Sequence, residues 1–230
     1  MMEGIKAESR LLTEELKGQI TGVFQKLERK IQIIAILDPE EEKGKELGCF
    51  LMAIGTLHPM VEVSLYCCGE NQELEQHFDP EMRPVSGIFL EDGNFTGAAF
   101  YGVPGGQELN SFIFAIYNAG SVGQAIEKRL IKKLEKLEKP VHFRTFVSLA
   151  CHHCPKMVID CQRLCMLSPW ICADMVDASL YPEMQDRYQI QRVPMTLVND
   201  EKVMGVKAIE TLVELACTHG CEKKKRFGRF

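Results

Sequence analysis

The chain has 230 residues, 46% hydrophobic and 26% charged, with a formal net charge of −5, which is the composition of a core-forming globular protein of one large domain or two small ones. No run of about 18 apolar residues appears, and the start, MMEGIKAESRLLTEELKGQ, is charged where an export signal would be apolar, so neither a membrane span nor secretion is expected and the protein is assigned to the cytoplasm. Through Gly120 there are 9 basic against 19 acidic residues and afterwards 18 against 13; the later excess sits in EKRLIKKLEKLEK and the tail EKKKRFGRF without interleaved aromatic residues, which argues against nucleic-acid binding.

In chain order, Thr13 to Lys30 has helical periodicity, and KIQIIAIL is an apolar, β-branched run of strand length that stops at Asp38-Pro39. A helix is expected from Glu40 to Leu57, then a strand VEVSLYC. RPVSGIFLEDGNFTGAAFYG is expected to be a hairpin turned at Asp92-Gly93, and GGQELNSFIFAIYNAG a helix stopped by Gly120. After a helical connector from Val122 to Lys139 the order begins again. VHFRTFVSL reads as a strand, the CHHC stretch as the start of a helix running to about Leu167, ICADMVD as a strand and SLYPEMQDRYQI as a short helix. RVPMTLVNDEKVMG reads as a hairpin turned at Asn199-Asp200 and VKAIETLVELACTH as the last helix. The unit of about 110 residues occurs twice. An offset of 113 sets QIIAILDPEE beside TFVSLACHHC, so that Asp38 and Glu41 stand where the second copy has Cys151 and Cys154.

A strand that ends just before CxxC, with a helix opening at the pair, places the Cys151 sulfur at a helix N-terminus. There, unpaired N–H groups and the dipole favour thiolate, the attacking species. Cys154, one turn inside, is positioned to resolve a mixed disulfide on Cys151. Pro155 follows where a missing N–H costs little. Val193-Pro194 precedes the strand MTLVN; in a CxxC oxidoreductase of this topology a proline there is expected to be cis, facing the sulfurs. Strand, CxxCP, helix, strand, helix, Val-Pro, hairpin and helix together point to a thioredoxin fold. The fold class is therefore α/β, two tandem thioredoxin-like folds, each a mixed sheet flanked by helices, with 1–120 lacking CxxC and 121–230 carrying it.

The other cysteines have competing readings. A zinc-binding or adaptor module would use the CHHC thiols with Cys217 and Cys221 of CTHGC; those last two are alternatively an auxiliary disulfide. Residues 154, 158, 161 and 165 share one helical stripe, so Cys161 and Cys165 are expected to fill core as small apolar groups. His152 and His153 are either thiolate-stabilising or plain surface residues.

FYGVPGGQELNSFIFAIYNAG, SLACHHCPKMVID and MVDASLYPEMQDRYQIQRVPMTLVNDEKVMG resemble the N-terminal domain of the alkyl hydroperoxide reductase flavoprotein, the thioredoxin-reductase-like partner of a peroxiredoxin. The resemblance covers nearly the whole chain. It implies two fused thioredoxin folds, the first without active cysteines. It also implies that Cys151 is the interchange nucleophile, Cys154 the resolving thiol and Pro194 the cis proline. Glu108 of PGGQELNSF matches a family glutamate able to move protons, whereas the family's preceding histidine is Gln107 here. No G-x-G-x-x-G follows a strand, so no cofactor is expected on the chain. Electrons would come from a separate NAD(P)H-dependent flavoprotein and pass to a peroxiredoxin or another protein disulfide. A related resemblance, to the two-fold protein disulfide oxidoreductase of thermophiles, would require a CxxC in each half, and the first half has DPEE.

Overall fold

The structure, a computed structural model, describes residues 2 and 4–221; the basic tail at 222–230 lies outside the described residues. The elements are α1 (Glu14–Phe24), β1 (Ile31–Leu37), α2 (Glu42–Gly55), β2 (Val61–Cys67), α3 (Gln72–Glu75), β3 (Val85–Leu90), β4 (Phe95–Tyr101) and α4 (Leu109–Gly120). They continue with α5 (Lys128–Leu134), β5 (Val141–Val147), α6 (Cys154–Cys165), β6 (Ile171–Asp177), α7 (Pro182–Tyr188), β7 (Met195–Val198), β8 (Glu201–Met204) and α8 (Ile209–Gly220). The strands form one mixed sheet in the order β2-β1-β3-β4-β6-β5-β7-β8. Each half contributes four strands in equivalent order, and β4 pairs in parallel with β6 to join them. Gly97 makes that seam possible: at φ +87°, a Cβ there would stand 2.6 Å from the Ile171 carbonyl oxygen.

Apolar alternation sets the layers. Ile31, Ile33, Ala35 and Leu37 of β1, with Val147 and Met175, face α1, α2, α4 and the start of α6. Val141, Phe143, Ile171 and Ala173 continue that layer under α5, α6 and α8. On the opposite face Ile34, Ile36, Phe146 and Val176 are covered by Phe78, Met82, Tyr181 and Met184. Burying one such large side chain contributes about 1.5–3 kcal/mol.

The repeat is closer than the sequence offset implied: from β1 through β3 its register is 110, not 113, and a shorter second half brings the ends of α4 and α8 to an offset of 100. β1 begins at Ile31 and β5 at Val141, β2 at Val61 and β6 at Ile171, β3 at Val85 and β7 at Met195. The same bonds recur: the Glu28 and Arg29 N–H groups donate to the Gly120 carbonyl, and those of Glu138 and Lys139 to the Gly220 carbonyl. These caps also explain why the first helix ends at Phe24 instead of Lys30 and the connector helix spans only Lys128–Leu134 instead of 122–139. The chain must turn onto the end of α4 or α8 before it enters a strand. At the start of the connector, Gly123 takes φ +70° and the Gln124 N–H donates to the Asn118 side chain, so no helix begins there. The one-turn α3, capped by Asn71, lacks enough periodicity to stand out in sequence.

Candidate redox-active site

β5 lies between β6 and β7 and delivers the chain to one end of the sheet at Val147. A turn follows, in which the Cys151 N–H donates to the Ser148 carbonyl at 2.9 Å and the Ala150 N–H reaches the Ser148 hydroxyl at 3.4 Å. The first half makes the same turn, with the Glu41 N–H on the Asp38 carbonyl and the Glu40 N–H on the Asp38 carboxylate. Ser148 is thus the counterpart of Asp38, and Cys151 that of Glu41.

Cys151 precedes the helix and does not lie within it: α6 begins at Cys154, with His153 as its cap. Pro155 is the reason. In the first half the Lys45 N–H donates to the Glu41 carbonyl, closing the first turn of α2. The equivalent bond would run from residue 155 to residue 151, and proline has no N–H to give. The helix therefore starts where Pro155 falls in its first turn, α6 has 12 residues to the 14 of α2, and Cys151 is left in the loop.

Cys151 and Cys154 are joined by a disulfide, their Cα atoms 5.6 Å apart. Cys151 is half-buried, His152 and His153 are exposed, and Cys154 is fully buried in the layer that also holds Val158 and Met175. Only the first sulfur is open to attack by an incoming thiolate, and such an attack would release Cys154. Val193 packs against the same layer, Pro194 is buried, and the bond between them is cis. Arg83-Pro84 is also cis and occupies the same place in the first half. The Gly102 N–H donates to the Pro84 carbonyl and the Gly205 N–H to the Pro194 carbonyl, both at 2.9 Å. Sequence reading missed Pro84, although a comparison of RPVSGIF with VPMTLVN at an offset of 110 would have found it.

Glu108 comes to this site from the first half. The Gln107 N–H donates to the Leu149 carbonyl at 2.9 Å, fixing residues 106–108 against the turn that leads to Cys151. Gly106 permits the approach, since at φ +56° a Cβ there would lie 2.5 Å from the Leu149 oxygen. The Glu108 side chain is fully buried; one carboxylate oxygen accepts from the Ser111 hydroxyl and the other has no partner among the described residues. Burial pushes its carboxyl up to about 7, against the lowering effect of the Ser111 bond and with a further rise from the Asp177 charge. Asp177, opposite Val147 in the β5–β6 register, is a second buried carboxylate at this end of the sheet and was not singled out in the sequence.

Cys161 and Cys165 are buried beneath α6, as its apolar stripe implied. Burial pushes the Cys161 thiol up to about 12 and the Cys165 thiol well above its ordinary value. The CHHC and CTHGC thiols do not converge. α8 ends at the opening of β5, whereas Cys151 lies beyond its close. Among the described residues, no group of three or more His, Cys, Asp or Glu side chains is placed to hold a metal ion, and no helix is long and apolar enough to cross a membrane.

No family model matches the chain. Among curated proteins it is 28% identical over 192 residues to the F component of alkyl hydroperoxide reductase (AhpF) from Staphylococcus aureus strain NCTC 8325 / PS 47, covering 84% of this chain and 35% of that protein. It thus spans about a third of the length of the curated relatives it matches. Among solved structures, the NTD_N/C domain of the alkyl hydroperoxide reductase AhpF from Enterococcus faecalis is 35% identical, with a TM-score of 0.84 over 88% of this chain and 98% of that one. A mutant of AhpF from the same organism is 33% identical, with a TM-score of 0.85 over 89% and 99%. A protein disulfide oxidoreductase from Aeropyrum pernix, 17% identical, shares the fold at a TM-score of 0.80.

Proposed function

The chain belongs to the family of N-terminal domains of the alkyl hydroperoxide reductase AhpF, and on that premise we propose that it is a thiol–disulfide oxidoreductase relaying electron pairs in peroxide reduction. The observation that carries this reading is the Cys151–Cys154 disulfide, closed at the strand-to-helix turn with one sulfur half-exposed and the other buried. Residues 1–120 form the unit without the pair and 121–230 the unit that holds it.

The donor is an NAD(P)H-dependent flavoprotein disulfide reductase, and the acceptor a peroxiredoxin or another protein disulfide. A thiolate of the reduced donor attacks Cys151, the Cys151–Cys154 bond breaks, and Cys154 leaves as thiolate. The donor's second thiolate then displaces Cys151, so the pair gains two electrons and the donor closes its own disulfide. In the second half of the cycle the Cys151 thiolate attacks the acceptor disulfide. Cys154 attacks Cys151 in turn, expelling the acceptor as dithiol and restoring the starting bond. Glu108, whose carboxyl burial pushes up to about 7 so that a protonated fraction persists at neutral pH, gives a proton to a leaving thiolate and recovers it when the pair closes. Pro194 shapes the surface beside Cys151. The cytoplasm, where thiols are kept reduced, suits the remaining free cysteines.

The test is NAD(P)H consumption by the chain mixed with a flavoprotein disulfide reductase and peroxide-oxidised peroxiredoxin. Cys151→Ser should abolish it, with a loss on the order of a thousandfold or more. Cys154→Ser should instead accumulate a mixed disulfide on Cys151. Normal turnover by Cys151→Ser would end this reading.

A further inference from the structure

Cys217 and Cys221 stand at the opposite end of the sheet from the relay pair. Cys217 lies in the last turn of α8 and Cys221 is the residue just past it. Their side chains lie on one side: the Cys217 thiol faces the Lys133 carbonyl at 3.7 Å and the Cys221 thiol the Lys136 carbonyl at 3.3 Å, along the end of α5. Burial, and then the neighbouring Cys221 thiol, raise the Cys217 thiol above its ordinary value, while the Lys133 and Lys136 charges lower it.

Two residues four apart inside a helix hold their Cβ atoms about 5–6 Å apart, slightly too far for a disulfide, which needs about 3.5–4.5 Å. Cys221 is not so held. It has left the helix, with φ −95° and ψ 150°, and only its N–H remains tied, to the Cys217 carbonyl. A modest rotation there brings the sulfurs together.

The first half supplies the control. α4 ends in the same way, with the Ser121 N–H on the Tyr117 carbonyl, so the positions of Cys217 and Cys221 are filled there by a tyrosine and a serine. The fold does not need two thiols at this corner.

We infer that Cys217 and Cys221 form a second dithiol that a hydroperoxide oxidises directly to an intramolecular disulfide at the C-terminal end of α8. The Cys221 sulfur attacks the terminal peroxide oxygen. An S–O bond forms, the O–O bond breaks, and the alkoxide departs as alcohol with the thiol proton. Cys217 then attacks the sulfenic sulfur, the S–S bond forms, and hydroxide leaves as water with the second proton. One hydroperoxide thus takes two electrons from the two thiols. The seven residues of β5 separate this pair from Cys151 by about 23 Å, so exchange between the two within one chain is excluded.

The experiment treats the full chain, and separately its Cys151→Ser/Cys154→Ser variant, with tert-butyl hydroperoxide, then alkylates under denaturing conditions and digests with trypsin. The peptide from Ala208 to Lys223 contains both cysteines and no other. In both proteins it is expected unalkylated and about 2 Da lighter than the reduced peptide, and to take two alkyl groups after added dithiol. Two alkyl groups without reduction, or stable sulfinic acid on Cys221, overturns the inference. So does a disulfide that forms only when Cys151 and Cys154 are present. Because the double variant lacks the relay pair, failure here and failure of the relay are separate results.

Discussion

β1 and β5 leave the sheet through the same turn, closed by Asp38 in one half and Ser148 in the other, and then part. In the first half Lys45 donates to the Glu41 carbonyl and α2 winds at once. In the second, Pro155 cannot make that bond, and the helix begins two residues later in register, leaving the Cys151 backbone outside it. The segment between flanking strands has the same length in both halves, from Leu37 to Val61 and from Val147 to Ile171. The reactive half is therefore not an insertion into the inert one. It is the same turn with two residues released from the helix and two sulfurs placed at its ends.

That comparison breaks most sharply if a working pair can be rebuilt in the first half. The structural counterparts of Cys151 and Cys154 are Glu41 and Gly44, and Gly44 has no room for a side chain: a Cβ there would collide with the Asp38 carbonyl oxygen. Glu41→Cys combined with Gly44→Cys should therefore not close a disulfide, and should destabilise the protein by about 3 kcal/mol through backbone collision, read by thermal unfolding. A stable variant with a second reducible disulfide would show that the helix start is not what disarms this half.

Glu108 extends the comparison, because it belongs to the inert half and is buried against the reactive one. Its folded-state carboxyl titrates at about 7 and an unfolded one at its ordinary value of 4.5. Between those values the folded state holds a proton that the unfolded state has lost, so stability falls as pH rises through this window and levels off above it. The fall amounts to about 3 kcal/mol. A proton supplied by Glu108 is lost as pH passes 7, so turnover should fall there; Glu108→Gln should flatten the stability profile from about pH 4.5 to 7 and remove that fall in turnover. A Glu108→Gln protein with an unchanged profile would place the titration elsewhere.

The architecture was legible because it rests on patterns local in sequence: apolar runs of strand length, a glycine-marked end to α4, and hairpins at Asp92-Gly93 and Asn199-Asp200. What escaped depended on register. Aligning DPEE with ACHHC by their place after the apolar runs gave 113, whereas the hydrogen-bond register of the sheet gives 110. The three-residue slip hid the Pro84 match and assigned Asp38 and Glu41 as counterparts of the cysteines, when the counterparts are Glu41 and Gly44. The reach of Glu108 was visible only by resemblance. Its place beside Leu149 comes from the β4–β6 seam, and no single half encodes that contact.

Pro155 carries the next effect. Pro155→Ala restores an N–H that can donate to the Cys151 carbonyl, so α6 should wind back to match α2. Cys151 would be drawn inward and turnover should fall by up to about a hundredfold, the cost of misplacing a reacting group by about 1 Å. Stability should change little. Helix content by circular dichroism and the alkylation rate of reduced Cys151 measure the two consequences separately.

The smallest effect concerns Cys161, which shares a helix with the reactive pair and has none of its exposure. Its thiol is pushed up to about 12 by burial, with the Thr145 contact lowering it and the Asp160 charge adding to the rise. At pH 7 that leaves about one thiolate in 100,000, so exchange chemistry has almost no nucleophile to use there. Cys161→Ala removes only a small apolar volume from the layer of Phe143, Met157 and Leu164, costing about 1 kcal/mol. Turnover should match the parent chain within error. Any larger loss of turnover would mean that a second thiol on α6 takes part, and proximity to Cys154, not exposure at the turn, would then be what makes this helix reactive.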